Sequence, residues 1–147
     1  MNDSLTHNYE VNLQWNSERK GTLSSPVLPT QIEVATPPDF PNGMKDIWTP
    51  QHLFIAAVNG CIMDTFLAIA ENSKFELISF ECNAVGILGE IDGKLAVTEI
   101  MLKPKVVIPT TQQEEQLKKI LEMSKRECIV TNSIITTISL EPIIVVQ

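Results

Sequence analysis

Histidine and arginine are scarce in this 147-residue chain, with two of each (His7 and His52, Arg19 and Arg126), and only three cysteines occur (Cys61, Cys82, Cys128). Two distant histidines, neither close to a cysteine in sequence, leave no ligand spacing for a conventional zinc site, and no metal or other cofactor is expected. A Ser-His-Asp triad would have to recruit one of the same two histidines. Positive charge is also in deficit, with 11 basic residues against 18 acidic and a net charge of -7. A surface of that sign repels phosphate, so neither nucleic acid nor an anionic membrane is an expected partner. The opening MNDSLTHNYEV lacks the basic and apolar regions of an export signal. An odd cysteine count without such a signal points to a reducing cytoplasm, where thiols stay free or do redox chemistry. By elimination, the chemistry open to this chain lies with its thiols.

What is present is an ordinary soluble composition, 44% hydrophobic and 20% charged, enough for a single domain over residues 1–147 with a real core. Residues 7–15 alternate, with Tyr9, Val11, Leu13 and Trp15 on one face, the period of a half-buried strand. Lys20 to Ser24 reads as its hairpin partner, with Gly21 easing the turn, and Gln31 to Thr36 as a third strand. The run Pro37-Pro38-Asp39-Phe40-Pro41-Asn42-Gly43 reads as a loop, because its three prolines lack amide donors. Thr49-Pro50 has the form of a helix start, threonine as N-cap and proline at the first helical position.

That helix is predicted to run to about Asn72, and it is apolar around nearly its whole circumference. Its Leu53 to Ala70 portion could be taken for a membrane span, but Asn59, Asp64 and Thr65 interrupt it. An aspartate near the centre of a lipid-exposed helix would be costly, so a buried helix is the expected reading. A chain of this length has few elements with which to enclose such a helix, which points to a partner subunit.

Two strands follow, Phe75 to Glu90 and Leu95 to Ile108, joined by Asp92-Gly93, a strong signal for a tight primed turn. Ile78, Phe80, Cys82, Ala84 and Leu88 are expected to share a face, and Pro109 to end the hairpin. Thr111 with Glu114 fits a capping box opening a helix to about Glu127, with Leu117, Ile120 and Leu121 inward. Ile134 to Glu141 alternates as a last strand. The order β-β-β-α-β-β-α-β, dominated by hairpins, predicts an α+β fold with antiparallel sheets.

An isolated buried cysteine usually acts as a small hydrophobe, and Cys82, inside a strand, keeps that reading. Cys61 lies mid-helix, in Ala56-Ala57-Val58-Asn59-Gly60-Cys61-Ile62-Met63, and Cys128 lies at the end of the second helix. The segment Trp48-Thr49-Pro50-Gln51-His52-Leu53-Phe54-Ile55-Ala56-Ala57, with Cys61 ten residues after Gln51, resembles the first-cysteine helix of the OsmC/Ohr family. Cys128-Ile129-Val130-Thr131-Asn132-Ser133 resembles its second-cysteine segment, of Cys-x-x-x-Asn-Ser type. Glu18-Arg19-Lys20-Gly21 falls where the family has an arginine followed shortly by glycine in an early hairpin.

The resemblance covers nearly the whole chain. It implies an intertwined homodimer in which antiparallel sheets wrap around long central helices. It also implies a thiol-dependent peroxidase that reduces organic hydroperoxides, with an external dithiol as reductant. On that resemblance Cys61 is the peroxidatic cysteine, Cys128 resolves, Arg19 is the activating cation, and Gln51 stands where the family has a glutamate that pairs with the arginine. Such a peroxidase needs a thiolate near neutral pH. The helix dipole offers Cys61 little, since it lies about three turns beyond Pro50 and the effect fades within the first turn.

Gln51 can hydrogen-bond a guanidinium but supplies no charge. Asp64, three residues after Cys61 on roughly the same helix face, would disfavour a thiolate unless paired or directed away. An alternative reading is a non-catalytic small-molecule-binding or redox-sensing protein of the same fold. A remoter one is a thioesterase-like fold, which also encloses a long helix but gives the paired cysteines no role. Arg126 reads as a helix-end charge. His52 reads as a surface or interface residue without an evident orienting partner, and Ile47, Trp48, Phe54 and Phe66 as packing residues or the lining of an alkyl pocket.

Overall fold

A computed structural model describes residues 6–147. Part of the opening stretch MNDSLTHNYEV, read above as lacking an export signal, lies outside the described residues. The chain forms two compact units, Met1–Leu53 and Phe54–Gln147.

The first unit carries a three-stranded antiparallel sheet in the order β1 (Asn12–Ser17), β2 (Lys20–Ser25), β3 (Leu28–Ala35). β1 starts later than the alternation at 7–15 suggests, and neither of its faces is buried: Leu13 and Trp15 remain 67% and 72% exposed. Alternation registers that one face wants cover, and none of the described residues supplies it. The hairpin turn is Glu18-Arg19, made possible by a positive φ at Glu18 (50°) and held by Trp15 Nε1 donating to the Glu18 carbonyl at 3.0 Å. Gly21 therefore does not make the turn. It sits opposite Trp15, where a Cβ would meet the Gln14 carbonyl oxygen at 2.9 Å, so the glycine answers a close backbone approach.

After β3 the proline-rich loop folds back on itself, with Gly43 N–H donating to the Phe40 carbonyl and Met44 N–H to that of Thr36. Helix α1 spans Pro50–Asn72, with the boundaries expected of it. Thr49 caps it, its Oγ1 accepting the His52 amide at 3.1 Å.

The second unit is built on β4 (Ser79–Ile91) and β5 (Lys94–Ile108), joined through Asp92 and Gly93 at φ 51° and 78°, the left-handed pair a primed turn requires. The antiparallel expectation fails beyond this hairpin. β6 (Thr137–Leu140) runs parallel to β5 over residues 99–102, and a further strand, β7 (Ile143–Val146), runs parallel to it over 105–108. The sheet is mixed, with β5 at its centre, and Pro104 falls in the gap between the two parallel partners, where a missing amide does least damage. The chain returns from β5 through a one-turn 3-10 helix (Thr111–Gln113) and α2 (Glu114–Glu127). The cap is one residue earlier than predicted, with Gln113 Oε1 accepting the Thr110 amide at 3.2 Å.

The face expected of β4 holds for Phe80, Cys82 and Ala84 but not for Ile78 and Leu88, which are exposed. The register shifts between Ile87 and Leu88, and beyond that shift the alternation changes phase.

Within this unit α1 lays a single stripe, Val58, Ile62, Phe66 and Ala70, into the core. Its upper half meets Ile100 and Leu102 of β5 together with Cys128, and its lower half meets Val106, Ile108 and the inward residues Leu117, Ile120 and Leu121 of α2. Phe66 stacks on Phe80 with ring centroids 4.8 Å apart. By length and composition α1 could cross a bilayer, the one such helix among the described residues. Its other faces are exposed or half-buried, Met63 and Leu67 among them.

Candidate functional site

Cys61 and Cys128 are brought together in the second unit. α1 carries Cys61 half-buried beside the Val58–Ile62 stripe, and the chain leaving α2 carries Cys128, fully buried in the same cluster. α2 ends there because Cys128 turns to extended backbone (φ -66°, ψ 118°). The chain then re-enters a 3-10 turn at Thr131–Ser133, secured by the Thr131 hydroxyl donating to the Cys128 carbonyl at 3.0 Å. The Val130 and Ile129 amides, just before this turn, act on the Cys61 thiol and lower its pKa.

The two thiols belong to one packed cluster and are driven in opposite directions. Burial pushes the Cys61 thiol up. Hydrogen bonds from the Cys128 thiol, the Val130 amide, the Thr65 hydroxyl and the Ile129 amide outweigh that, and its pKa falls below the ordinary cysteine value. Burial pushes Cys128 up as well, and the adjoining Cys61 pushes it further, against the amide and hydroxyl of Thr131. The arrangement favours a thiolate at Cys61 with Cys128 as a protonated donor to it.

Asp64 is exposed, and it is not among the groups acting on the Cys61 sulfur. All three cysteines are free thiols. Cys82 keeps its packing role at the edge of this cluster, where burial raises its thiol to about 11 despite a hydrogen bond from the Lys103 backbone. At pH 8 iodoacetamide is therefore expected to label Cys61 about a hundredfold faster than Cys82, since only the thiolate reacts. Peptide mapping by mass spectrometry checks this, and comparable labelling of the two would contradict the assigned difference.

Arg19 and Gln51 also share a site, in the first unit. The β1–β2 turn presents Arg19 to solvent. Its side chain lines a cavity of about 400 Å³ with Thr36, Pro37, Phe40, Pro41, Pro50 and Gln51. Arg19 forms no ion pair among the described residues, whereas its neighbour Lys20 pairs with Glu33 at 3.3 Å. The Gln51 side-chain oxygen is buried without a hydrogen-bond donor. That acceptor stands ready for a guanidinium or a ligand proton.

His52 has the orienting partner that the sequence does not advertise, with Nδ1 2.7 Å from Thr49 Oγ1 and its ring edge-on to Trp48. Trp48 and Ile47 line a second cavity of about 360 Å³ with His52, Asp46 and Met44, whereas Phe66 is core and Phe54 packs against it. Arg126, at the end of α2, pairs with Glu127 at 3.6 Å. Among the described residues no group of three or more histidine, cysteine or acidic side chains could hold a metal ion.

Sequence reasoning missed two parts of the thiol site. Thr65 lies one helical turn beyond Cys61, a spacing that could have marked it, although it registered only as a polar interruption of the apolar helix. The Ile129 and Val130 amides carry no side-chain signature at all.

A long helix bearing a half-buried thiol, with a second thiol buried in the same cluster of an α+β unit, defines an OsmC-type protein. The OsmC-like protein family matches residues 43–142, and the chain belongs to that family. Among solved structures it is similar to an OsmC-like protein of unknown function from Vibrio cholerae, 27% identical, with TM-score 0.85 over 94% of this chain and 100% of that one. An OsmC-like protein from Mycoplasma pneumoniae shares the fold at 17% identity and TM-score 0.81, over 96% of this chain and 99% of that one. So does an organic hydroperoxide resistance protein from Elizabethkingia anophelis, at 19% identity and TM-score 0.73, over 97% and 100%. No curated protein sequence matches the chain.

Proposed function

We propose that this chain, acting over residues 1–147 as a single OsmC-like domain, is a thiol-dependent peroxidase that reduces organic hydroperoxides. The observation that carries the proposal is the packing of two free thiols, Cys61 and Cys128, in one cluster, with Cys61 held below and Cys128 above the ordinary cysteine value. A Cys61 thiolate attacks the peroxide, the O–O bond breaks, and the alcohol leaves with a proton as Cys61 becomes a sulfenic acid. The Cys128 thiol then displaces hydroxide, which departs as water with the thiol proton, and a Cys61–Cys128 disulfide forms. An external dithiol restores both thiols and is itself oxidised. Arg19 is assigned the cation's part by its match to the family position, with the unpartnered Gln51 oxygen in the same cavity as an acceptor open to it. A guanidinium stays charged at every working pH.

The functional unit proposed is a cytoplasmic homodimer in which sheets from both copies wrap the central helices. Its support is the apolar surface a single copy leaves open: Leu13 and Trp15 on β1, and Met63 and Leu67 on α1. Covering α1 with a second copy accounts for its apolar outer faces without a bilayer.

One equivalent of cumene hydroperoxide added to the reduced protein is expected to consume two thiols per chain. Peptide mapping should find Cys61 joined to Cys128 and Cys82 still free. If Cys61 and Cys128 are both recovered as thiols while the peroxide persists, the peroxidase reading fails.

A further inference from the structure

The Arg19 cavity holds two polar groups of opposite character. The guanidinium of Arg19 can only donate hydrogen bonds, and it forms no ion pair among the described residues. The side-chain oxygen of Gln51 can only accept them. That oxygen is buried and has no hydrogen-bond partner, and even the Thr36 hydroxyl in the same wall does not reach it. An amide oxygen has two lone pairs, so one stays open even if Arg19 turns to the other.

The rest of the wall is apolar, made by Phe40 and by Pro37, Pro41 and Pro50. A cavity of about 400 Å³ with such walls is of the size that takes a small organic molecule. What remains is to ask which head group suits both polar ends. A carboxylate satisfies Arg19 but brings no proton, and it sets its own lone pairs against the Gln51 oxygen. An ammonium group donates to Gln51 but is repelled by Arg19. An ether accepts from Arg19 and leaves Gln51 unpaired. A hydroxyl or hydroperoxyl group does both, since its oxygen accepts from Arg19 while its proton goes to Gln51.

We infer that Gln51 is a specificity-determining residue of this cavity, reading the terminal O–H of a neutral hydroperoxide or alcohol and turning the site away from carboxylates despite the charge of Arg19. The inference rests on the reading of this chain as a hydroperoxide reductase, for which a hydroperoxide is the substrate and an alcohol the product. An ordinary hydrogen bond adds little net affinity because each partner first gives up another one. The Gln51 oxygen has none to give up, so a donor that reaches it returns more than usual.

The test is isothermal titration calorimetry of the reduced, full-length protein with three ligands that share one apolar body: 2-phenylpropan-2-ol, its methyl ether, and 2-methyl-2-phenylpropanoate. The alcohol is expected to bind about tenfold more tightly than the ether or the carboxylate. In Gln51→Leu the alcohol should fall to the level of the ether. In Gln51→Glu, which keeps an acceptor, the preference for alcohol over ether should survive. A purely structural role for Gln51 would weaken all three ligands together and leave their ratios unchanged. Equal binding of alcohol and ether by the parent would overturn the inference. So would a carboxylate that binds most tightly, a preference that persists in the leucine variant or is lost in the glutamate one, or an alcohol that does not bind. Circular dichroism of each variant confirms that it is folded.

None of the three ligands carries an O–O bond, so no thiol is oxidised in the titration. Failure of the peroxidase reading would leave the ratios as they are, and failure of the Gln51 inference would leave thiol oxidation by cumene hydroperoxide intact.

Discussion

Serine in place of Cys61 is expected to lower the second-order rate constant for cumene hydroperoxide by about a thousandfold or more, to the uncatalysed background, the scale seen when a nucleophile is removed. Two effects combine. The donors that hold Cys61 below the ordinary cysteine value cannot bring a serine hydroxyl near ionisation at neutral pH. More fundamentally, oxygen has no counterpart to the sulfenic acid, so serine cannot accept the oxygen atom that sulfur takes from the peroxide. Cys128→Ser should behave differently. The first oxidation proceeds, the sulfenic acid at Cys61 persists long enough to be trapped by dimedone, and turnover with dithiol falls. Stopped-flow peroxide consumption by the two variants checks the pair of outcomes. Equal impairment at the first oxidation would remove the distinction between attacking and resolving thiols.

The largest expected effect on stability is at Phe66. Its side chain is fully buried, stacks on Phe80, and joins the inward residues of α1 to those of β5 and α2. Phe66→Ala removes that contact and leaves a cavity bounded by three elements, which cannot all relax into it. A cost of about 3–5 kcal/mol follows from the behaviour of buried phenylalanines. Against a typical net stability of roughly 5–15 kcal/mol, this is enough to leave some of the protein unfolded at moderate temperature. Urea denaturation followed by circular dichroism gives the value, and a change under about 1 kcal/mol would mean that this helix is not pinned by its buried stripe.

Where the determinants are local, the sequence was a reliable guide. Thr49-Pro50 marks the start of α1, because an N-cap hydroxyl and a proline at the first helical position act within a single turn. Asp92-Gly93 marks the β4–β5 turn for the same reason, since only residues that tolerate positive φ suit both positions. The second cap was misplaced by one residue because Thr110…Gln113 and Thr111…Glu114 both fit the capping pattern, and only packing decides between them.

Non-local determinants escaped. β7 is four residues long, follows Pro142, and takes its identity from a parallel partner some forty positions earlier. The apolar face of β1 stays exposed among the described residues, so its alternation did not mark a buried strand. At the candidate site, the cysteines were legible through their neighbours in sequence. The Val130 and Ile129 amides that tune Cys61 were not, because their role comes from a segment between α2 and β6 that folding brings against α1.

The arrangement of β5 also governs when the second unit can form. One edge of this strand pairs with β4, its immediate predecessor, while the other pairs with β6 over residues 99–102 and with β7 over 105–108. During synthesis β4 and β5 can form their hairpin as soon as they emerge. The row from Lys105 to Ile108 then waits without its parallel partner until Val146 has been made. Throughout that interval an apolar strand offers an open edge to any neighbouring chain, the condition under which nascent proteins aggregate. The residues that close this window follow the edge they cover by some forty positions, so truncations that remove them endanger the newborn chain more than their distance from Cys61 would suggest.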